Sequence, residues 1–545
     1  MGAIRFVLIS IELWGVIESA ASLPGQEAGS TAVRCQVIDA TTGEPIPARV
    51  HIQGEAGSWH FANSLGGTAI PYRKSRADNP RSIEMHSTLS AHPFSVDLLP
   101  GKYTFTVERG KEYHPEQRMV IVGKQPLEHT FSLRRWIDMA KLGWYSGDTH
   151  VHRGLEELPN VMLAEDVNVA LPLLDWTREA FLSPQAARRE PFHDVAPHPI
   201  YIDATHVYYP RNTEYELFTV NKKSHTLGAF FALNHRTVLD LGAPPVRGIA
   251  ARIHREGGLI ELDKHNWPWS MMLIPIMQPD LYELSNNHVW RTEFAFRGWG
   301  EPAPAYMQVE RDDKGFTEWG WLDYGFQNYY ALLNCGFRLR PTAGTASGVH
   351  PVPLGFGRVY VYCPEKFTYE SWISGLNAGR SFVTTGPMLF VHVNGKPPGY
   401  TFPSSDAAAG QYRVQGSAIS ELPLDRLEIV VNGDIVRTVK PKSRKTHLDS
   451  YEGEFDEQIP IDGTAWVAVR CFEDRADKRI RFAHSSPVHI DVAGKPLRPR
   501  KQEVEFLIQR VKEQLNRNEK VLSQESLDEY REALAAYEET AKTQQ

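Results

Sequence analysis

Residues 31–135 alternate apolar and polar positions with a period of two, which predicts strands packed as a β-sandwich. Residues 33–38 alternate, Thr41-Thr42-Gly43-Glu44-Pro45 makes a turn, and residues 48–52 resume. The turn Leu99-Pro100-Gly101-Lys102 leads into a strand over 103–107, with further strands at 119–122 and 129–133. Residues 54–92 lack a clear period and read as a long insertion. From 140 to 387 the pattern changes to strand-like runs alternating with helix-like segments, which favours an α/β architecture. Residues 161–166 read as helix and lead into a buried strand, 167–174, ending in Asp175-Trp176. The apolar run 226–233 ends in Asn234-His235, and a helix over 246–256 is broken by Gly257-Gly258. The strand 259–262 ends in Asp263-Lys264-His265, and Ser285-Asn286-Asn287-His288 closes the next unit. Polar residues therefore gather at strand C-termini, where barrel enzymes place their chemistry. Residues 388–495 return to β-patterning, with Asn394-Gly395 and Asn432-Gly433 as hairpin signals, and fit an immunoglobulin-like sandwich. In 496–545, Val504, Leu507, Ile508, Val511 and Leu515 recur at helical spacing. Ser526 with Glu529 fits a capping box for a second helix.

A chain of 545 residues is long enough for several domains. The net charge of −7 gives no electrostatic footprint for nucleic acid and disfavours an anionic membrane surface. Cys35, Cys335, Cys363 and Cys471 are too widely spaced for a metal knot. Cys335 and Cys363 either pair in an oxidising compartment or stay buried as thiols. Residues 1–24 read as a secretory signal, with Arg5, a mostly apolar run and small residues at 19–22, so the protein is expected to be exported, periplasmic or secreted. Glu12 inside that run counts against the reading. The apolar run is too short for a transmembrane anchor.

The stretch Gly143-Trp144-Tyr145-Ser146-Gly147-Asp148-Thr149-His150-Val151-His152 carries the clearest chemistry. On a strand, side chains two apart share a face, so His150 and His152 present two imidazoles together with Asp148 in the same row. Two imidazoles beside carboxylates suit a divalent metal such as zinc, manganese or iron. The plainer alternative is two histidines on a solvated strand.

Residues 144–152 resemble the first motif of the PHP metallohydrolases, in their CehA/McbA-like branch, and residues 379–387 are similar to the segment that leaves the barrel in that branch. The N-terminal region is similar to carboxypeptidase-regulatory-like, transthyretin-like domains. The resemblance implies a distorted (β/α)7 barrel over 140–387 preceded by the β-sandwich at 31–135, and the patterning adds a second sandwich at 388–495 and a helical pair at 496–545. It implies His150 and His152 as metal ligands, and Asp148 as a carboxylate orienting a histidine. Asp175 matches the aspartate of the second motif, where Trp176 replaces a histidine. Glu216 is the choice for a metal-bridging glutamate, with Glu214 close behind. His265 and His288 are further ligands. Asp175 or His265 serves as proton shuttle, and His235, Trp176 and Trp267 line the substrate pocket. The last motif, Gly-Ser-Asp-x-His, is replaced by Gly344-Thr345-Ala346-Ser347-Gly348, which lacks both metal-binding side chains. The implied function is hydrolysis of an ester or phosphoester in a small-molecule or carbohydrate-like substrate by metal-activated water. The rival is a non-catalytic PHP-like barrel that binds a carbohydrate or other ligand at the cell surface.

Overall fold

The N-terminal strands carry the alternation into three dimensions. Thr31–Asp39 buries every second side chain, as does the latter half of Gly101–Glu108. The computed structural model describes residues 29–76, 79–187, 195–269, 273–294, 297–298, 300–405 and 407–543. The leader-like residues 1–24 lie outside them. One sheet orders Leu127–Leu133, Thr31–Asp39, Phe94–Leu98 and Asn63–Ser64. The other orders Ala69–Arg76, Asn79–Leu89, Ala48–Gly54, Gly101–Glu108 and Glu116–Val122. Val33, Val37 and Phe131 of the first share one core with Val50, Ile52 and Phe105 of the second. The segment read as an aperiodic insertion is in fact a hairpin, Ala69–Arg76 against Asn79–Leu89, whose second strand pairs with Ala48–Gly54. Its period is hidden because residues such as Glu84, His86, Ser87 and Thr88 are all buried, so polar and apolar no longer mark outside and inside.

In the central region Trp144–Val151 pairs parallel with Val169–Glu179, which pairs parallel with Asn212–Val220. Leu259–Leu262, Leu281–Ser285 and Arg340–Ala343 are likewise parallel neighbours. An even strand–helix alternation is interrupted between Asn212–Val220 and Lys223–Leu233. There the chain turns through Asn221 and Lys222, at φ 52° and 62°, into an antiparallel hairpin. A two-residue turn leaves no room for a crossover helix. On its other side Trp144–Val151 pairs antiparallel with Arg358–Tyr362. The helices Leu158–Glu165, Arg247–Arg255, Glu318–Asn334 and Tyr369–Asn377 bury their apolar residues against these strands. The result is a large mixed α/β unit with smaller all-β sheets beside it.

Ser381–Thr384 pairs with Arg358–Tyr362 on one side and with Phe482–Ser485 on the other. The sheet therefore runs on into Ala465–Glu473 and Leu424–Val431, faced by a second sheet of Met388–Val393, Gly410–Ser420, Tyr451–Ile461 and Arg444–Lys445. Asn432 and Gly433, at φ 51° and 87°, turn the hairpin between Leu424–Val431 and Asp434–Val439. The last two helices, Lys501–Asn518 and Gln524–Ala541, pack Leu507, Val511, Leu527 and Tyr530 into the central core. The second helix starts one turn earlier than the capping pattern indicates, with Ser523 accepting from the Ser526 N–H. Glu529 instead accepts from the backbone N–H groups of Val246 and Arg247, at 2.7 and 2.8 Å, and so caps Arg247–Arg255. All four cysteines are free thiols. Among the described residues no helix is long and apolar enough to cross a membrane.

Candidate metal centre

His150 lies near the C-terminal end of Trp144–Val151, and His152 just beyond it, with ring centroids 5.2 Å apart. Glu214 comes from Asn212–Val220. Its Oε2 is 3.1 Å from His152 Nε2, and its Oε1 is 3.9 Å from His150 Nε2. Glu283, from Leu281–Ser285, accepts from His150 Nδ1 at 2.9 Å. Asp263 follows Leu259–Leu262. These side chains form three overlapping groups able to hold a cation: His150, His152 and Glu214; His150, Asp263 and Glu283; and Glu214, Glu216 and Asp263. Nitrogen and carboxylate-oxygen donors arranged this way suit a divalent metal ion.

Electrostatics test the fit. Burial pushes the Glu214 carboxyl up to about 8, helped by the Asp263 charge. Burial and then Glu214 push Glu216 up to about 8. Burial, with Asp263 next, holds Glu283 well above the usual range, while burial lowers His152 to about 4 and holds His150 well below its ordinary value. Glu214 Oε2, Asp263 Oδ1 and Glu283 Oε2 are buried with no hydrogen bond, although such atoms normally find one. Crowded carboxylates that resist ionising, beside imidazoles held neutral, lack a positive charge at their centre. Lys264 supplies part of it, contacting Asp263 and lying 3.8 Å from Glu216. The residues present fit a divalent cation.

Around these donors, neighbours fix orientation. Asp148 joins none of the three groups. It accepts from the N–H groups of His150 and Thr345 with one oxygen, and from Thr345 Oγ1 and the Gly355 N–H with the other. Burial raises its pKa to about 6 against those hydrogen bonds. Its carboxylate thus ties the motif strand to the loop at 344–355. None of that loop's side chains joins the three groups, but it backs the site: a Cβ on Gly344 would lie 2.2 Å from His150 Cβ and 2.3 Å from Glu283 Oε1. Trp176 packs against His152 with centroids 4.9 Å apart and the rings tilted by 39°, and Trp267 Nε1 donates to Asp263 Oδ2 at 2.8 Å. Both tryptophans wall the centre.

The other expected residues join none of these groups among the described residues. His265 and His288 both pack on Trp321, at 4.3 and 4.9 Å between centroids, and join no cation group among the described residues. Asp175 is buried beside Thr213 in the strand register and also joins none. At His235, Thr213 Oγ1 at 2.9 Å and the Thr237 carbonyl at 2.7 Å occupy the two ring nitrogens. Asp263 and Glu283 went unselected in the sequence, yet each is an acidic residue in or beside a short, wholly buried strand. Such a charge has to be compensated, and that signal was readable.

A polar cavity of about 370 Å³ reaches the centre at His152. Tyr72, Arg73 and Lys74 of the N-terminal hairpin line it, opposite Arg153 and Glu157. Arg153 lies over the Tyr72 ring at 3.8 Å and donates to Glu157 at 3.1 Å.

No family model matches this chain, and no curated protein matches it. One solved structure is similar, a two-domain protein from Bacteroides vulgatus described as containing a predicted PHP-like metal-dependent phosphoesterase. The two share 10% identity over 64% of this chain and 95% of that chain, with a TM-score of 0.29. So distant a likeness carries no weight for fold or chemistry, which rest here on the side chains themselves.

Proposed function

We propose that the protein is an exported metal-dependent hydrolase of the PHP type, acting on an ester or phosphoester of a small molecule. The observation that carries the reading is the convergence of His150, His152, Glu214, Asp263 and Glu283, from four parallel or antiparallel strands and their ends, as overlapping groups able to hold a cation. His150, His152 and Glu214 would hold the ion, with Asp263, Glu283 and Glu216 completing its surroundings. When bound, a divalent cation there supplies Lewis-acid polarisation of a substrate oxygen and lowers the pKa of water. The chain's own residues do the rest. Glu283 orients the His150 ring through Nδ1, and Asp148 fixes the backbone that carries it. Trp176 and Trp267 shield the donors from bulk water. Substrate reaches His152 through the 370 Å³ cavity, past Arg73, Lys74 and Arg153. Export belongs to the same reading and rests on residues 1–24 alone.

The test is elemental analysis of the full-length protein beside His150→Ala/His152→Ala, with turnover of nitrophenyl acetate, phosphate and phosphodiester probes. We expect bound divalent metal in the wild type, turnover abolished by chelation, and a loss of at least about 100-fold in the variant. A metal-free wild type with no metal-dependent cleavage would sink the reading.

A further inference from the structure

A second histidine pair sits outside the central unit, on the N-terminal sandwich. The register runs Ala48↔Leu89, Arg49↔Thr88 and Val50↔Ser87, so His51 and His86 are the next cross-strand neighbours. Glu84 precedes His86 by two residues and shares its face. Val50 and Ile52 point the opposite way, into the sandwich core. The histidine face is nevertheless buried, because the central unit docks on it: Arg291 bonds Glu84 and Glu165 bonds Arg49. His51, Glu84 and His86 are at most 5% exposed.

The hydrogen bonds leave both rings in the same tautomer. His51 Nδ1 faces the Met85 carbonyl at 3.1 Å, and a carbonyl only accepts, so the proton is on Nδ1. His86 Nδ1 faces Glu84 Oε1 at 2.8 Å, and a carboxylate only accepts, so its proton is on Nδ1 as well. Each Nε2 therefore carries a lone pair, and each is buried without a hydrogen bond. The rings are 5.3 Å apart, and His51 Nε2 is 3.5 Å from Glu84 Oε1 and 3.7 Å from Glu108 Oε2. The three residues can offer ligand atoms within 4.8 Å of one another. A carbonyl or carboxylate fixing Nδ1–H leaves the Nε2 lone pair of a buried imidazole available to a metal. Arg291 holds Glu84 in place, and Glu108 brings another carboxylate oxygen close.

We propose that His51, His86 and Glu84 form a second metal site, for a zinc-class divalent ion, at the seam between the sandwich and the central unit. Its role is structural. It joins the strands Ala48–Gly54 and Asn79–Leu89 beneath the docked surface and is separate from the centre at His150 and His152. It stands whether or not that centre is catalytic.

The experiment measures zinc per full-length chain after reconstitution and removal of loose metal, in wild type, His51→Gln/His86→Gln and His150→Ala/His152→Ala. Loss of one equivalent in the first variant, with the rest retained, supports the site. Zinc content equal to wild type overturns it. A second measurement covers misfolding of that variant. Cobalt(II) is titrated into the His150→Ala/His152→Ala protein, with and without the single exchange His86→Asn. Visible absorption from nitrogen-ligated cobalt that disappears with His86→Asn supports the proposal. Absorption that is absent, or unchanged by His86→Asn, overturns it.

Discussion

Gly344 shows how closely the backing loop approaches the donors. A methyl group there meets the Cβ of His150, which has no freedom to swing away, as well as the Glu283 carboxylate. Gly344→Ala is expected to cost about 1–3 kcal/mol of stability. It should also weaken metal binding roughly 10–100-fold by disturbing the His150–Glu283 pair. Chelator competition and thermal unfolding measure both, and unchanged affinity would show that the loop is slack. The donors themselves were legible unevenly in the chain. His150 and His152 declare themselves by their spacing, and Glu214 with Glu216 repeats the period of two. His265 and His288 follow strands just as convincingly. But a place after a strand does not say which way a ring turns, and Trp321 captures both.

Among the elements, the helix Glu318–Asn334 joins the central unit to the C-terminal sheet through polar contacts inside an aromatic core. Tyr330 donates to His484 Nε2 at 2.8 Å, while His484 Nδ1 donates to the Ser485 carbonyl at 2.7 Å. Burial, with Arg470 second, lowers the His484 pKa to about 3 from 6.5. The unfolded chain binds the proton more readily than the folded one between those values. Stability is therefore complete above pH 6.5 and falls as the pH drops toward 3, by about 1.4 kcal/mol per pH unit from this group. His484→Gln should remove that part of the slope in urea unfolding measured across the range, and an unchanged slope would assign it elsewhere. The strands and helices followed hydrophobic period where one face met solvent. They were obscured where both faces are buried, as at Asn79–Leu89, or where a two-residue turn such as Asn221-Lys222 replaces a crossover.

For the molecule as a whole, the docked faces are held by buried charges. Arg49 bonds Glu165 with one nitrogen at 2.6 Å to each oxygen, and Glu108 with its other nitrogens. Removing it strands two carboxylates away from water, so Arg49→Ala should cost about 3–5 kcal/mol. A lowered thermal midpoint checks this, and a shift no larger than that of a surface substitution would mean the seam relaxes. The continuous sheet has a further consequence. Ser381–Thr384 has a hydrogen-bonded neighbour on each side, one before it in the chain and one nearly a hundred residues later. A stop codon after Pro387 would leave that strand as a raw, unpaired border. Bare borders recruit other chains, so the shortened product should precipitate on expression rather than persist as a free-standing enzyme.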